Sequence, residues 1–168
     1  MKNNPNYSSN KHHELGGLVA APFTPLRADK TLNLALIPQY ASWLTDNGVG
    51  AVFICGTTGE GFSLTTDERR QLAEAWMAGT VGKLKIVVHV AHNSLAESRQ
   101  LAAHAEQIGA HAIASIGPTF FRPNSVEQLV DFCEPVAVAA SSLPFYYYHM
   151  PAMTGVNLPM IDFLRHGA

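Results

Sequence analysis

The chain has 168 residues, of which 47% are hydrophobic and 14% are charged, and its formal net charge is −2 at pH 7. This length suffices for one compact domain, and the low content of charged residues excludes extended intrinsic disorder. The nearly neutral balance gives no electrostatic reason to expect binding to nucleic acid or to an acidic membrane. No apolar run approaches the ~18 residues that a membrane span needs.

The first segment of the chain is polar. Residues 1–15 are rich in Asn, Ser, Lys and His, which predicts a disordered tail, and residues 16–168 are predicted to belong to a single domain. The tail lacks the apolar centre of a secretory signal. Cys55 and Cys133 lie in apolar segments without metal-ligand spacing. We therefore expect buried free thiols, a reducing cytoplasmic compartment and no metal site.

After the tail, short apolar runs alternate with longer amphipathic segments. The runs are typical of strands buried on both faces, and they occupy residues 17–21, 51–55, 86–90, 112–116 and 143–148. The segments between them have helical periodicity, as in Leu101, Ala105 and Ile108. Strands separated by helices must be parallel. The order predicts repeated βα units, in either an open doubly wound sheet or a (β/α)8 barrel, and periodicity does not separate the two.

The predicted helices have marked ends. Thr65, Ser94 and Ser125 are each followed three residues later by Glu or Gln, the spacing of a capping box. Gly48 and Gly109 follow the last periodic residues of two helices and can adopt the left-handed conformation that ends a helix. These signals place the strand-to-helix loops at defined positions.

The loop after the second apolar run has the sequence Gly56-Thr57-Thr58-Gly59-Glu60. Two hydroxyls and several backbone amides, framed by glycines, can bind a small carboxylate. The alternative is a tight turn in which the glycines only permit the backbone conformation and the threonines only act as local caps. No basic residue is adjacent, so a carboxylate fits better than a phosphate. The chain has neither a Walker lysine loop nor a Rossmann glycine pattern, so nucleotide binding has no support.

The fifth apolar run ends in three tyrosines. Because consecutive strand residues alternate in direction, we expect Tyr146 and Tyr148 to face one way and Tyr147 the other. A tyrosine at the carboxyl end of such a strand can act as a general acid or base. The alternative is a set of buried aromatic residues whose hydroxyls are hydrogen-bonded.

Together these segments resemble a known family. The resemblance rests on residues 17–25, on residues 56–60 with Arg69 at the expected distance, and on residues 148–151 followed by residues 154–156. The family is that of the pyruvate-dependent class I aldolases, which includes N-acetylneuraminate lyase and dihydrodipicolinate synthase. The resemblance implies a (β/α)8 TIM barrel, of which this chain would supply about five βα units.

Within that family, residues 143–149 resemble the animal branch that cleaves sialic acid, and Met153 stands where synthases usually carry an arginine. The resemblance implies Schiff-base cleavage of N-acetylneuraminate to N-acetylmannosamine and pyruvate in a homotetramer, without a metal or organic cofactor. Thr57 and Thr58 would hold the pyruvoyl carboxylate, and Tyr148 would move the proton at the C4 hydroxyl. The alternative is a related pyruvate-dependent aldolase or synthase.

Two features depart from the family pattern. Residues 118–123 contain no tyrosine, although bacterial members place one in this loop. The family's Schiff-base lysine lies on the sixth strand, whereas all five lysines of this chain precede Tyr148. We therefore expect the 168 residues alone to be inactive, with open sheet edges that favour a partner. A truncated chain, a fragment, and a non-catalytic short isoform that binds full-length subunits remain as alternatives.

Overall fold

The structure is a computed structural model that describes residues 15–80 and 82–167. The predicted disordered tail lies outside the described residues, except for Leu15. The side chain of Leu15 packs against Val87, Ala112 and Ala114 on one face of the sheet.

Five strands form one parallel sheet. They are β1 (Leu18–Ala20), β2 (Val49–Ile54), β3 (Lys85–His89), β4 (Ala112–Ser115) and β5 (Phe145–Tyr147), and each coincides with one of the predicted apolar runs. The spatial order is β1-β2-β3-β4-β5, so each strand pairs with its neighbours in sequence. A doubly wound sheet reverses its strand order at a switch point, whereas this sheet does not. The sequential order is that of a (β/α)8 barrel, here with five strands.

Among the described residues, four helices connect consecutive strands, and two more follow β5. They are α1 (Ile37–Asp46), α2 (Thr66–Thr80), α3 (Leu95–Gln107), α4 (Val126–Val138), α5 (Pro151–Thr154) and α6 (Met160–His166), with short 3-10 helices at Leu34–Leu36 and Gly61–Ser63. Neighbouring helices contact one another from α1 to α4, and α6 packs on α4. No helix within residues 15–80 and 82–167 has the length and apolar character of a membrane span.

The main core lies between the helices and one face of the sheet, which we call the outer face. Strand residues such as Val52, Ile86 and Ile113 meet helix residues such as Trp76 and Leu101 there. The opposite, inner face carries only a small cluster built on Val87, Ala112 and Ala114. The helices therefore cover one face of the sheet, as in a barrel wall.

The predicted helix ends are largely confirmed. At Thr65 the capping box is complete, since the Thr65 amide donates to Glu68 at 2.8 Å and the Glu68 amide donates to the Thr65 hydroxyl at 3.2 Å. Ser94 and Ser125 also accept from amides three residues on. The second hydrogen bond of each capping box differs from the prediction. The Glu97 side chain accepts from Thr66 rather than from the Ser94 amide, and the Gln128 side chain accepts from the Asn124 amide rather than from the Ser125 amide. Gly48 and Gly109 both adopt a φ of +78°, as expected of left-handed helix ends.

Candidate active site

The loop of residues 56–60, called here the carboxylate loop, lies at the carboxyl end of β2. The Thr24 hydroxyl, from the segment after β1, donates to the Gly59 carbonyl at 2.6 Å. Within the loop, the Glu60 amide donates to the Thr57 carbonyl at 3.1 Å, and the Gly61 amide donates to the Gly56 carbonyl at 3.2 Å. These bonds close the loop into a compact turn at the edge where barrel enzymes bind their ligands.

Steric constraints explain the glycines around this loop. A Cβ atom at Gly56 would lie 2.4 Å from the Phe53 ring, and one at Gly61 would lie 2.0 Å from the Cys55 carbonyl oxygen. Cys55 and Glu60 adopt left-handed φ values of +58° and +52°. The backbone therefore turns sharply at both ends of the loop, in a conformation that few residues other than glycine tolerate.

The loop retains hydrogen-bonding groups that other residues do not occupy. Among the described residues, the hydroxyls of Thr57 and Thr58 and the amides of residues 56–59 make no hydrogen bond. Thr57 is exposed and Thr58 is half-buried. The turn geometry of the alternative interpretation is therefore present, and the donors that carboxylate binding requires are also available.

Tyr148 follows β5 at the same edge of the sheet. Its amide donates to the Ser115 carbonyl at 2.8 Å, which extends the pairing of β5 with β4. Its half-buried ring lies 5.5 Å from the Phe53 ring, measured between centroids. Phe53 also contacts Gly56, so one aromatic ring links the carboxylate loop to Tyr148. The structure thereby brings Thr57, Thr58 and Tyr148 to one end of the sheet.

The neighbouring tyrosines alternate as the sequence predicts. Tyr146 pairs in register with Ala114 of the inner face and is 38% exposed. Tyr147 points to the outer side, where its ring lies 4.7 Å from the Phe163 ring. Burial raises the pKa of Tyr147 to about 12. Tyr147 therefore belongs to the helix packing, and Tyr148 is the tyrosine that faces the candidate site.

His89, the last residue of β3, is a site residue that sequence reasoning missed. It is 2% exposed, and its Nδ1 lies 3.1 Å from the Cys55 carbonyl oxygen. A carbonyl oxygen only accepts, so Nδ1 carries the proton and Nε2 keeps a lone pair. Nε2 has no hydrogen-bond partner among the described residues. Burial, together with the nearby charge of Arg69, lowers the pKa of His89 to about 3, so the ring is neutral.

Arg69 of α2 extends beneath the carboxylate loop and is 2% exposed. Its guanidinium donates to the His89 carbonyl at 2.6 Å and to the Ala91 carbonyl at 2.9 Å. It also lies beside the Cys55 thiol, whose pKa burial raises to about 11. Arg69 thus joins the carboxyl ends of β2 and β3, a role that spacing in sequence does not reveal.

The other cysteine, the nearby His92 and the described lysines have different surroundings. Cys133, like Cys55, is a buried free thiol, as predicted. The Nδ1 atom of His92 accepts from the Ser94 amide, and the described part of the chain contains no group of three or more His, Cys, Asp or Glu side chains suited to a metal. Lys83 and Lys85 lie at the amino end of β3, opposite Tyr148, and Lys30 lies in the turn after β1.

Comparison with known proteins agrees with this arrangement. The family model described as "Dihydrodipicolinate synthetase family" matches residues 14–165. An N-acetylneuraminate lyase of Gallus gallus is 48% identical over 153 residues, which cover 90% of this chain and 50% of that protein. The chain therefore spans about half the length of the curated relatives it matches.

Solved structures give the same result. A Proteus mirabilis N-acetylneuraminate lyase superposes with a TM-score of 0.88 at 40% identity, over 91% of this chain and 52% of that one. The dihydrodipicolinate synthase of Aquifex aeolicus superposes with a TM-score of 0.83 at 26% identity, over 90% and 50% of the two chains. The sheet order, the carboxylate loop and the family match agree, and the chain belongs to the dihydrodipicolinate synthetase family.

Proposed function

We propose that this chain is the part of an N-acetylneuraminate lyase that binds the carboxylate and carries the catalytic tyrosine. The reaction is the retro-aldol cleavage of N-acetylneuraminate to N-acetylmannosamine and pyruvate through a Schiff base. The observation that carries the proposal is that Phe53 contacts both Tyr148 and the start of the carboxylate loop at Gly56. The identities of 48% and 40% to the Gallus gallus and Proteus mirabilis lyases, against 26% to the Aquifex aeolicus synthase, support this substrate.

Each site residue has a task that suits its position. The free hydroxyls of Thr57 and Thr58 and the free loop amides hold the carboxylate of the keto acid, which fixes the orientation of its C2 carbonyl. Tyr148 lies one aromatic ring away and takes or returns the proton of the C4 hydroxyl as the C3–C4 bond breaks. Met153 lies on α5 and is 61% exposed. Its uncharged side chain cannot form an ion pair with a second carboxylate.

The Schiff-base nucleophile is proposed to lie outside these 168 residues. Lys83 and Lys85 flank the amino end of β3, opposite the site, and Lys30 is an exposed residue of the turn after β1. Lys2 and Lys11 fall outside the described residues. We propose that the 168-residue chain alone does not turn over, and that the active protein is a cytoplasmic homo-oligomer.

The function is tested by product analysis of the full natural polypeptide. Incubation with N-acetylneuraminate is expected to release pyruvate and N-acetylmannosamine, and borohydride reduction in the presence of pyruvate is expected to trap one lysine adduct. The 168-residue chain treated identically should give no adduct. Condensation of pyruvate with an aldehyde other than N-acetylmannosamine, without cleavage of N-acetylneuraminate, would assign the protein to the synthase alternative.

A further inference from the structure

The charge of Arg69 has no compensating partner in the described structure. Its guanidinium is buried, and its partners are the carbonyl oxygens of His89 and Ala91 and the thiol of Cys55. None of the ion pairs within the described residues includes Arg69. A buried charge is costly unless an opposite charge accompanies it. The fold therefore maintains a destabilising feature directly beneath the carboxylate loop.

The neighbours of Arg69 do not supply the missing negative charge. Burial raises the pKa of the Cys55 thiol to about 11, so the thiol stays protonated at neutral pH. The His89 ring is neutral and its Nδ1 donates to the Cys55 carbonyl. The Nε atom of Arg69 is itself buried without a hydrogen-bond acceptor among the described residues. A net positive charge thus remains in an environment that screens it little.

The guanidinium of Arg69 lies next to the start of the carboxylate loop. Arg69 contacts Cys55, the residue directly before Gly56, and the carbonyls that end β3. The free hydroxyls of Thr57 and Thr58 and the free amides of residues 56–59 follow Cys55 directly along the chain. A carboxylate held there would be attracted by the guanidinium through a region of low dielectric constant, without contacting it.

We propose that Arg69 is a specificity-determining residue whose buried, uncompensated positive charge makes the carboxylate loop selective for anionic keto acids. This inference rests on the proposed function for the identity of the ligand. It differs from a purely structural role, in which Arg69 would only tie the ends of β2 and β3 together. The two roles make different predictions for ligands that differ only in charge.

The test compares pyruvate with pyruvamide, its neutral amide, on the full natural polypeptide. Equilibrium binding is measured for the wild type, Arg69→Lys and Arg69→Gln, with circular dichroism as the check on folding. Gln retains hydrogen-bond donors for the strand-end carbonyls but has no charge, whereas Lys retains the charge. We expect Arg69→Gln to weaken pyruvate binding about tenfold or more while changing pyruvamide binding less than about twofold. Arg69→Lys should keep most of the preference for pyruvate.

A second pair of variants leaves Arg69 in place. Cys55→Asp puts a carboxylate beside the guanidinium, and Cys55→Asn is its neutral control of the same shape. Both residues tolerate the left-handed backbone of Cys55. Pyruvate should bind less tightly to the Asp variant than to the Asn variant, with pyruvamide binding equally to both.

Three outcomes would overturn the inference. They are equal losses of pyruvate and pyruvamide binding in Arg69→Gln, unchanged pyruvate binding in that variant, and equal pyruvate binding by the two Cys55 variants. If Arg69→Gln selectively loses pyruvate binding but the wild type does not cleave N-acetylneuraminate, the proposed function fails while the charge effect stands. If cleavage occurs but pyruvate and pyruvamide bind alike, the charge effect fails alone.

Discussion

The ring of Phe53 lies 5.5 Å from the ring of Tyr148, with 72° between the two planes, and the same ring leaves no space for a side chain at Gly56. One side chain from β2 therefore packs against both the carboxylate loop and the tyrosine. Edge-to-face packing of this kind restricts both rings. Phe53 thus limits the movement of Tyr148 on the inner face of the sheet.

Replacing Tyr148 with Phe is expected to abolish most of the lyase activity. The variant keeps the packing against Phe53 but loses the hydroxyl that moves the proton, so kcat should fall by about 10²–10⁴-fold. Borohydride trapping of pyruvate should persist, because that step does not require the C4 hydroxyl. The measurement is pyruvate release from N-acetylneuraminate by the full natural polypeptide.

Tyr147→Phe is the matched control for this variant. Tyr147 faces the helices and packs on Phe163, so its hydroxyl is expected to have no part in the proposed reaction. Wild-type kcat in Tyr147→Phe combined with a large loss in Tyr148→Phe is the expected pattern. Comparable activity in both variants would remove Tyr148 from the mechanism.

Replacing Thr58 with Val is expected to weaken keto acid binding. Val has nearly the same shape but cannot donate a hydrogen bond to a carboxylate, and a hydrogen bond to a charged group contributes about 1.5–3 kcal/mol. The dissociation constant for pyruvate should rise by about tenfold or more, and the same comparison applies at Thr57. Thr58→Ser keeps the hydroxyl and should bind pyruvate like the wild type. Unaltered affinity in Thr58→Val would show that the Thr58 hydroxyl does not bind the carboxylate.

Gly61→Ala is expected to destabilise the fold. Its Cβ would lie 2.0 Å from the Cys55 carbonyl oxygen, a backbone atom that is also bound to the His89 ring and cannot move independently. Overpacking of this kind typically costs about 1–3 kcal/mol. Urea-induced unfolding should show a lower midpoint than in Gly16→Ala, where the added Cβ meets no atom within 4 Å. Equal midpoints would contradict the tight contact between Gly61 and Cys55.

His89 is expected to make stability depend on pH. The pKa of His89 is lowered from 6.5 to about 3 in the folded protein, so the unfolded chain binds a proton that the native ring does not. Its contribution is complete above pH ~6.5 and is lost progressively as the pH falls toward 3, by up to ~1.4 kcal/mol per pH unit. Urea-induced unfolding between pH 7 and pH 4 measures this slope.

The variants His89→Gln and His149→Gln separate this effect from general acid unfolding. His89→Gln should have a flatter dependence of unfolding free energy on pH than the wild type. His149 is exposed, so its replacement should leave the slope unchanged. A slope that persists in His89→Gln would assign the acid sensitivity to other groups.

The parts of the fold that depend on local sequence were predictable. The apolar runs coincide with strands because burial on both faces leaves no polar position, and Thr65 with Glu68 predicts a helix start that the structure confirms. The capping prediction was wrong in detail at Ser94, because the Glu97 carboxylate accepts from the Thr66 hydroxyl of the neighbouring helix instead of from the Ser94 amide. The packing of the two helices therefore determines which donor the Glu97 carboxylate accepts from.

The connections within the site were not predictable from residue spacing. Arg69 follows Cys55 by 14 residues, and His89 follows Arg69 by 20 residues. The three residues meet only when β2, β3 and α2 pack together. His89 lies two residues after Val87 in β3, and this spacing puts both side chains on the inner face. The spacing does not reveal the hydrogen-bond partner of His89. The position of Tyr148 opposite the loop likewise depends on Phe53, a residue that resembles any other core aromatic in the sequence.

The sequential strand order has a consequence for how the chain is made. Each strand pairs with the one that the ribosome has just completed, so the sheet can grow at one edge without waiting for distant segments. The carboxylate loop needs only residues 24–91 for its described supports, from Thr24 to the Ala91 carbonyl. Tyr148 joins two βα units later. The carboxylate loop and the tyrosine proposed to move the proton are therefore completed at different times during synthesis, with the loop first.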